Sequence, residues 1–414
     1  MVQRETRRVV VTGAGAVTPL GTTLDQTWAG LVSGRSGVRP ISLFDASDLP
    51  VRIAAEVPGF DPIARFGKRR ARHLDRVVQL ALTSTAEALE HAKLDVAADP
   101  ERIGVIYGTG IGGIQAIEDG LLTMAYRGPE WINPYALPMT LANMAAGHLA
   151  MEWGAKGYNS CTVTACTASA QSIGEGFDLI RLGRAEAMIC GGSEAPITKI
   201  AVAGFAAMKA LSTRNDAPAA ASRPFDLDRD GFVFGEGAAT LILEEREYAL
   251  RRGAPILAEI VGFGATSDAH HITTPHPDGD GAVRSMRLAL EEADLDPSQV
   301  DYINAHGTST PPNDRVETLA VHQVFDAAGG APPMSSTKSM TGHTLGAAGA
   351  LESLVCLQVL ATGIAPPTIN LETPDPSCDL DYIPGDARPL DADVVMTNSF
   401  GFGGHNSTLI FRRP

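Results

Sequence analysis

Short apolar runs rich in β-branched residues alternate, along the first half of the chain, with longer segments whose apolar residues recur at helical spacing. Glycines and polar turn residues bound the short runs, which is typical of buried strands. Strands are therefore expected at 8–11, 102–107, 187–190 and 238–243. Helices are expected at 25–33, 66–91, 139–149 and 201–210.

The second half repeats this order of elements. Strands are expected at 256–262, 300–304, 394–397 and 408–411, and helices at 283–293 and 339–360. Alternating strands and helices, duplicated within one chain, predict two packed α/β units with helices between sheets. We place the boundary between residues 1–253 and residues 254–414. Corresponding helices and loops of the two halves would then face one shared site.

The glycines that follow the first strand have two interpretations. Gly13 and Gly15 after a strand are typical of a dinucleotide-binding turn, but the third glycine is missing at the required offset and Pro19 interrupts the expected helix. A turn is the better interpretation, and an oxidoreductase has no other support in the sequence.

Composition narrows the class of protein further. Hydrophobic residues make up 44% of the 414 residues, which is typical of a globular chain. The net charge of −15 argues against general nucleic-acid binding. The N-terminus lacks a signal-peptide pattern, and we expect no apolar run to reach the roughly 18 residues that span a bilayer. We therefore expect a cytoplasmic protein.

Five cysteines, an odd number without metal-ligand spacing, indicate a reducing compartment rather than a disulfide framework. The three histidines of one loop, His270, His271 and His276, lack the regular spacing of zinc ligands. No metal site is therefore predicted.

The segment 159–183 is the strongest candidate for chemistry. A β-branched run leads into the small residues that surround Cys166, and a helix follows as far as Leu182. Small side chains at the start of a helix predict burial against neighbouring backbone. Cys166 would lie at the helix N-terminus, where unpaired N–H groups and the helix dipole stabilise a thiolate.

Three loops of the second half carry further functional groups. They contain His306 after a strand, Lys338 and His343 before a small-residue helix, and Phe402 in a glycine-rich turn. Carbon–carbon bond formation between thioesters needs a soft nucleophile and hydrogen-bond donors for the oxygens that become negative. Two neutral imidazoles could stabilise the enolate left by malonyl decarboxylation, and the N–H groups of Cys166 and Phe402 could form an oxyanion hole.

Five motifs together resemble the β-ketoacyl synthases of the thiolase superfamily, most closely the synthase II group that works with acyl carrier protein. They are TACTAS around Cys166, NAHGTSTP around His306, KSMTGH from Lys338 to His343, NSFGFGG before His405, and RPFDLDRDGFVFGEGA at 223–238. The resemblance extends over essentially the whole chain. It implies a thiolase-like α/β fold, in which two βαβαβαββ halves form a five-layered α-β-α-β-α sandwich.

The resemblance also implies roles for individual residues. Cys166 would carry the acyl chain, His306 and His343 would drive decarboxylation and condensation, Lys338 would support them, and Phe402 would gate the site. Thr308 and Thr310 would contact the pantetheine arm, and Gly110, Ile111 and Phe205 would line the acyl pocket. A dimer partner would add Tyr135, Ala136 and Leu137. Asn304 and Glu352 would belong to a polar network that holds a monovalent cation in some relatives. Independently of the resemblance, Asp268 is a candidate substrate-binding residue that would hold a mobile loop across from the Phe402 loop.

The implied partners are an acyl carrier protein and a second subunit. No cofactor is expected beyond the phosphopantetheine that carries the substrates. Because carrier proteins and this chain are both acidic, docking needs a local basic patch. The candidate residues are Lys68, Arg69, Arg70, Arg72, Arg127 and Lys209.

Two alternatives keep the fold and change the function. The chain could be the ketosynthase subunit of a type II polyketide synthase, paired with a homologous chain-length factor instead of forming a homodimer. A degradative thiolase would need a second cysteine in the C-terminal glycine loop, and Cys378 lies elsewhere, in a stretch rich in proline and aspartate.

Asp314 and Glu317 resemble an acid/base pair, but a structural role is at least as well supported.

Overall fold

The computed structural model describes residues 7–414. Residues 7–253 contain seven strands and nine helices, which are β1 Val9–Val17, α1 Leu24–Val32, β2 Arg39–Pro40, β3 Ile53–Ala54, α2 Pro62–Ala71, α3 Arg76–Ala92, β4 Ile103–Gly108, α4 Ile114–Arg127, α5 Ala136–Thr140, α6 Met144–Trp153, β5 Asn159–Ser160, α7 Ala168–Arg181, β6 Ala187–Glu194, α8 Lys199–Ala207, β7 Gly237–Glu245 and α9 Arg246–Arg251. The second half contains β8 Ala258–Ser267, α10 Asp280–Ala293, β9 Tyr302–Asn304, α11 Pro311–Phe325, β10 Met334–Ser335, α12 Lys338–Thr341, α13 Ala348–Thr362, β11 Ile364–Ala365, β12 Arg388–Pro389, β13 Val394–Gly401 and β14 His405–Arg412.

The strand order shows the duplication directly. The first half contributes β5-β4-β6-β7-β1 and the second contributes β10-β9-β13-β14-β8. Strands β1 and β8 join the two sets antiparallel over Val9–Val11 alone. Each half therefore has three strands joined in parallel and two antiparallel strands, in the same order.

Helices α7 and α13 form the central layer. They pack against each other, and each contacts strands of both halves. Helices α3 and α6 cover the first set of strands, and α10, with α11 against it, covers the second. Ala168, Ser169 and Ala170 at the start of α7 are at most 1% exposed, so the expected burial of this small-residue helix is confirmed.

The glycines after the first strand are not in a turn, and that prediction is wrong. They lie inside β1, where a Cβ at Gly13 or Gly15 would come within 2.2 Å of a backbone carbonyl oxygen of α3. Gly262 and Gly264 of β8 meet the backbone of α10 in the same way. Glycine is needed at these positions because a helix backbone packs directly on the strand.

Three further element predictions need correction. The helix expected at 66–91 is two helices, because Asp75 caps α3 by accepting from the N–H of Val77. The helix expected at 339–360 is interrupted between α12 and α13, which places His343 in a loop. The helix expected at 139–149 is also two helices, because residues 141–143 between α5 and α6 are not helical. Helices α4, α9 and α11 are not among the predicted elements.

The apolar segment Leu345–Thr362 also contradicts the expectation that no run would reach membrane-spanning length. It has 18 residues and a mean hydropathy of 1.5, sufficient by length and composition. However, 83% of it is buried within the structure. Since α13 lies between the two sets of strands, this hydropathy is that of a core helix.

Candidate active site

Cys166 lies in a single turn of 3-10 helix, Ala165–Thr167, immediately before α7. The turn begins at Ala165, whose φ of 52° is unusual for a residue with a side chain. The backbone N–H of Phe402 donates a hydrogen bond to the Cys166 thiol. The predicted position at the helix N-terminus is therefore confirmed.

The protonation state of this cysteine differs from the expectation. Burial raises the pKa of the Cys166 thiol to about 11, although the Lys338 ammonium and the Phe402 N–H act in the opposite direction. The resting site therefore holds a thiol rather than a stabilised thiolate. The loss of solvation outweighs the favourable field in a side chain that is only 7% exposed.

Cys166 opens into a cavity of about 340 Å³ between the halves. The cavity brings together most of the predicted site residues, which are Gly110, Ile111, Cys166, Phe205, Lys209, Asp268, His306, Thr308, Thr310, His343 and Phe402. One end is apolar, where the rings of Phe205 and Phe402 stack with centroids 6.2 Å apart. Such a cavity suits a substrate with an apolar chain and a polar reacting group.

His306 and His343 approach each other closely, with ring centroids 5.4 Å apart. Burial lowers the pKa of both imidazoles well below the usual value, and Lys338 lowers both further. Both rings are therefore neutral at physiological pH. Among residues 7–414, the buried Nδ1 of His343 has no hydrogen-bond partner.

Lys338 lies behind His306 and is 2% exposed. Its Nζ donates to the backbone oxygen of His306 at 2.6 Å, approaches His306 Nδ1 at 3.4 Å, and forms an ion pair with Glu352. Because an ammonium group can only donate, His306 Nδ1 acts as the acceptor and the ring proton lies on Nε2. Lys338 thus sets the tautomer of His306.

Two carboxylates that suggested an acid/base pair have structural partners. Glu317 accepts from the backbone N–H groups of His306 and Gly307 at 2.8 and 2.7 Å, and so fixes the His306 loop. Asp314 accepts from the N–H of Phe225 at 2.9 Å and pairs with Arg229. The structural interpretation of both residues fits their surroundings.

Asp268 joins the two loops at the cavity mouth. Its carboxylate accepts from the side-chain amide of Asn406 at 2.7 Å and from the N–H of His276 at 3.1 Å. Its own N–H donates to Gly404 O at 2.8 Å. The aspartate therefore connects its own loop to the glycine loop that carries Phe402.

Several predicted residues lie outside the cavity. Ala136 is on α5, in a surface segment where Tyr135 is 47% and Leu137 78% exposed. Of the six basic candidates, Lys209 lines the cavity, Arg70 pairs with Glu152, and Arg127 stacks over Trp131 at 4.4 Å. Lys68 and Arg69 are on α2, and Arg72 follows it.

Residue patterns gave no indication of one buried carboxylate, Glu194 at the end of β6. It is 0% exposed and accepts four hydrogen bonds beneath the cavity wall. A glutamate after two glycines at the end of a buried strand is the only signal in the sequence that could have identified it.

Comparison of the chain with known protein families and sequences identifies its family. Residues 6–249 match the model of the beta-ketoacyl synthase N-terminal domain, and residues 257–372 match that of the C-terminal domain. The chain therefore belongs to the β-ketoacyl synthase family, and it is an acyltransferase-class enzyme. It is 51% identical to 3-oxoacyl-[acyl-carrier-protein] synthase 2 from Synechocystis sp. over 414 residues, the full length of both chains.

Solved structures agree with this assignment. The ishigamide ketosynthase/chain length factor has a TM-score of 0.92 and 37% identity, covering 99% of this chain and 100% of that one. A type II PKS acyl-carrier protein in complex with its ketosynthase bound to the hexaketide gives a TM-score of 0.91 and 35% identity, with the same coverage. The predicted family resemblance and the thiolase-like α/β fold are confirmed.

Proposed function

We propose that the chain catalyses decarboxylative Claisen condensation between an acyl group on Cys166 and a malonyl group on acyl carrier protein. The observation that carries this proposal is the placement of one buried thiol, with an N–H directed at it, in the same cavity as two neutral imidazoles. The sequence relatives named as acyl-carrier-protein synthases support the carrier as the source of both substrates.

In the first half-reaction the Cys166 sulfur attacks the acyl thioester and the pantetheine thiol leaves with the proton. The N–H groups of Cys166 and Phe402 stabilise the tetrahedral oxyanion. Thr308 and Thr310, whose hydroxyls lie 2.9 Å apart in the cavity lining, contact the pantetheine arm. The acyl chain lies along Gly110, Ile111 and Phe205.

In the second half-reaction the malonyl thioester loses carbon dioxide, and the remaining electron pair forms an enolate. Nε2–H of His306, together with the neutral ring of His343, stabilises the enolate oxygen. The enolate carbon attacks the acyl carbonyl, the Cys166 sulfur leaves, and one proton restores the thiol. One β-ketoacyl thioester and one carbon dioxide result for each acyl group consumed.

Buried side-chain oxygens without hydrogen-bond partners support the binding of a monovalent cation in the polar network. Among residues 7–414 these include Asn304 Oδ1, Glu352 Oε2 and Ser399 Oγ. All three are hard oxygen donors of the kind that bind such ions. A cation held by them would fix the polar network beside Lys338.

The carrier approaches through the cavity mouth, where Lys209 attracts its acidic surface. Phe402, at the glycine loop, gates entry of the second substrate. Tyr135, Ala136 and Leu137 reach the acyl pocket of a partner subunit in the dimer. The enzyme acts in the cytoplasm, and the boundary of its halves lies between residues 253 and 254.

The test is a condensation assay with acyl-carrier and malonyl-carrier thioesters. We expect equal amounts of carbon dioxide and β-ketoacyl product from the wild type. His306→Ala and His343→Ala should still accept the acyl group but release little carbon dioxide. Carbon dioxide without a condensed product from the wild type would contradict the proposal.

A polyketide function is the second candidate, because the structural relatives include ketosynthase/chain length factor pairs. In that case a homologous subunit would replace one copy in the dimer. A condensation assay on the protein purified alone distinguishes the homodimer from the heterodimer. A condensing homodimer supports the self-sufficient enzyme, and activity only after addition of a chain-length-factor subunit supports the heterodimer.

A further inference from the structure

The duplication gives Cys166 a counterpart in the second half. The single turn Leu345–Ala347 precedes α13 as Ala165–Thr167 precedes α7, and Leu345 repeats the positive φ of Ala165, at 44° against 52°. Gly346 therefore occupies the position that corresponds to Cys166. Strands β6 and β13 occupy equivalent positions in their halves.

The space beside Gly346 is filled by a carboxylate. Glu194, at the end of β6, accepts from the N–H of Gly346 at 2.9 Å and from the N–H of Gly110 at 2.5 Å through Oε2. Its Oε1 accepts from the N–H of Ile111 at 3.2 Å and from the hydroxyl of Thr109 at 3.0 Å. A negative group thus lies at the turn that corresponds to the Cys166 turn, held by the N–H of Gly346 in the second half and by three donors of the first half.

The position of this carboxylate leaves little freedom to its neighbours. A Cβ at Gly346 would lie 2.2 Å from Gly110 N and 2.6 Å from Glu194 Oε2. A Cβ at Gly110 would lie 2.8 Å from Glu194 Oε2 and 3.6 Å from the Ala165 oxygen. The carboxylate therefore lies under the Gly110 wall of the acyl cavity, and Gly110 also approaches the carbonyl of Ala165, the residue before Cys166.

We propose that Glu194 is a positioning residue for acyl transfer, whose carboxylate occupies the duplicated anion site and fixes the Gly110–Ile111 wall beside Cys166. This inference rests on the proposed thioester chemistry of Cys166. Burial raises the pKa of Glu194 to about 7, and the four donors oppose that rise. Three of them are backbone N–H groups, which can only donate, so the ionised form fits the site.

The geometry separates two variants of Glu194. Glutamine keeps the shape but turns an –NH₂ group toward N–H donors, so at least one pair of donors loses its acceptor. Glu194→Gln should lower kcat/KM for Cys166 acylation on the order of tenfold or more, since a lost hydrogen bond to a charged group has that weight. Malonyl decarboxylation, which uses His306 and His343, should change much less.

Glu194→Ala leaves room for a small anion, and formate is the probe. Formate should restore acylation of Glu194→Ala, whereas formamide, its neutral isostere, should not. The matched control is Asp226→Asn, which removes the charge of another 0% exposed carboxylate that accepts backbone N–H groups outside the cavity. This control should lose thermal stability without losing acylation.

Acylation by graded acyl-carrier thioesters is followed by intact mass, beside thermal unfolding and carbon dioxide release. Equal losses in acylation and decarboxylation for Glu194→Gln, or no response of Glu194→Ala to formate, would overturn the positioning role and leave a purely structural one. If both Glu194 variants fail to fold, Glu194→Asp is the test. It keeps the negative charge, but its shorter side chain moves the carboxylate away from the N–H donors, so it must still weaken acylation more than decarboxylation. A wild type that forms no Cys166 adduct refutes the proposed function instead.

Discussion

Replacing Lys338 with methionine tests how far one buried cation controls both the fold and the nucleophile. Lys338 and Glu352 form an ion pair in which each side chain is 2% exposed. Removing one partner of such a pair leaves an uncompensated buried charge, and the expected loss is about 3–5 kcal/mol in the free energy of unfolding. Removing both, in Lys338→Met with Glu352→Leu, should recover most of that loss.

The same substitution should make Cys166 less reactive. Lys338 lowers the pKa of the thiol, so its removal raises that pKa above the present value of about 11. At about pH 8 the thiolate fraction falls tenfold for each unit by which the pKa of the thiol rises, and alkylation by iodoacetamide should slow in proportion. Because Glu352 raises the pKa of Cys166, the double variant should react faster than Lys338→Met alone.

The assays are urea unfolding and the rate of mass increase on alkylation, with Cys166→Ala to show that the label is on this residue. All comparisons use protein that is folded at the start of the reaction. Two results would refute the reasoning: a Lys338→Met variant that alkylates as fast as the wild type, or a double variant no more stable than the single one.

Two further predictions concern stability. His322 bridges Asp326 and Asp379. Its ring N–H groups donate to the two carboxylates, and these hydrogen bonds raise its pKa, the bond to Asp379 more than the bond to Asp326. Because its pKa is raised on folding, protonated His322 stabilises the fold fully below its unfolded pKa of about 6.5, and this stabilisation is lost as the pH rises through its folded pKa. His322→Asn should therefore lower Tm more at about pH 5.5 than at about pH 8.5. Equal losses at the two pH values would exclude the charged bridge. Gly349→Ala should destabilise the protein by roughly 1–3 kcal/mol in urea, because its Cβ would lie 2.6 Å from that of Ala170 between the central helices. Gly204→Ala, with nothing within 4 Å, is the control and should be neutral or slightly stabilising; similar losses in both would show that packing against Ala170 is not the cause.

The duplicated α/β architecture could be predicted because each half repeats the same apolar runs and glycine turns. The loops of Cys166, His306 and His343 could be placed together for the same reason, since equivalent strands end at equivalent points. The predictions that failed concern the local conformation of single residues. Gly13 and Gly15 indicate a turn until α3 is known to lie against them, and a positive φ at Ala165 or Leu345 has no signal in residue type.

Electrostatic properties were the hardest to predict. The helix N-terminus at Cys166 suggests a thiolate, but the cost of burial depends on the packing of both halves, which no single segment encodes. The partners of Glu194 include Gly110 in the loop after β4 and Gly346 in the turn before α13, separated from it by 84 and 152 positions in the chain. A contact of that kind becomes visible only when the fold brings the segments together.

The most direct test of the central claim is the intact mass of the purified protein after incubation with acyl-carrier thioesters of graded length, beside Cys166→Ala. We predict one acyl adduct per wild-type chain and none on the variant, and the preferred length would separate fatty-acid from polyketide use. An adduct that persists in Cys166→Ala, or a folded wild type that forms none with any chain length, would contradict Cys166 as the self-sufficient nucleophile.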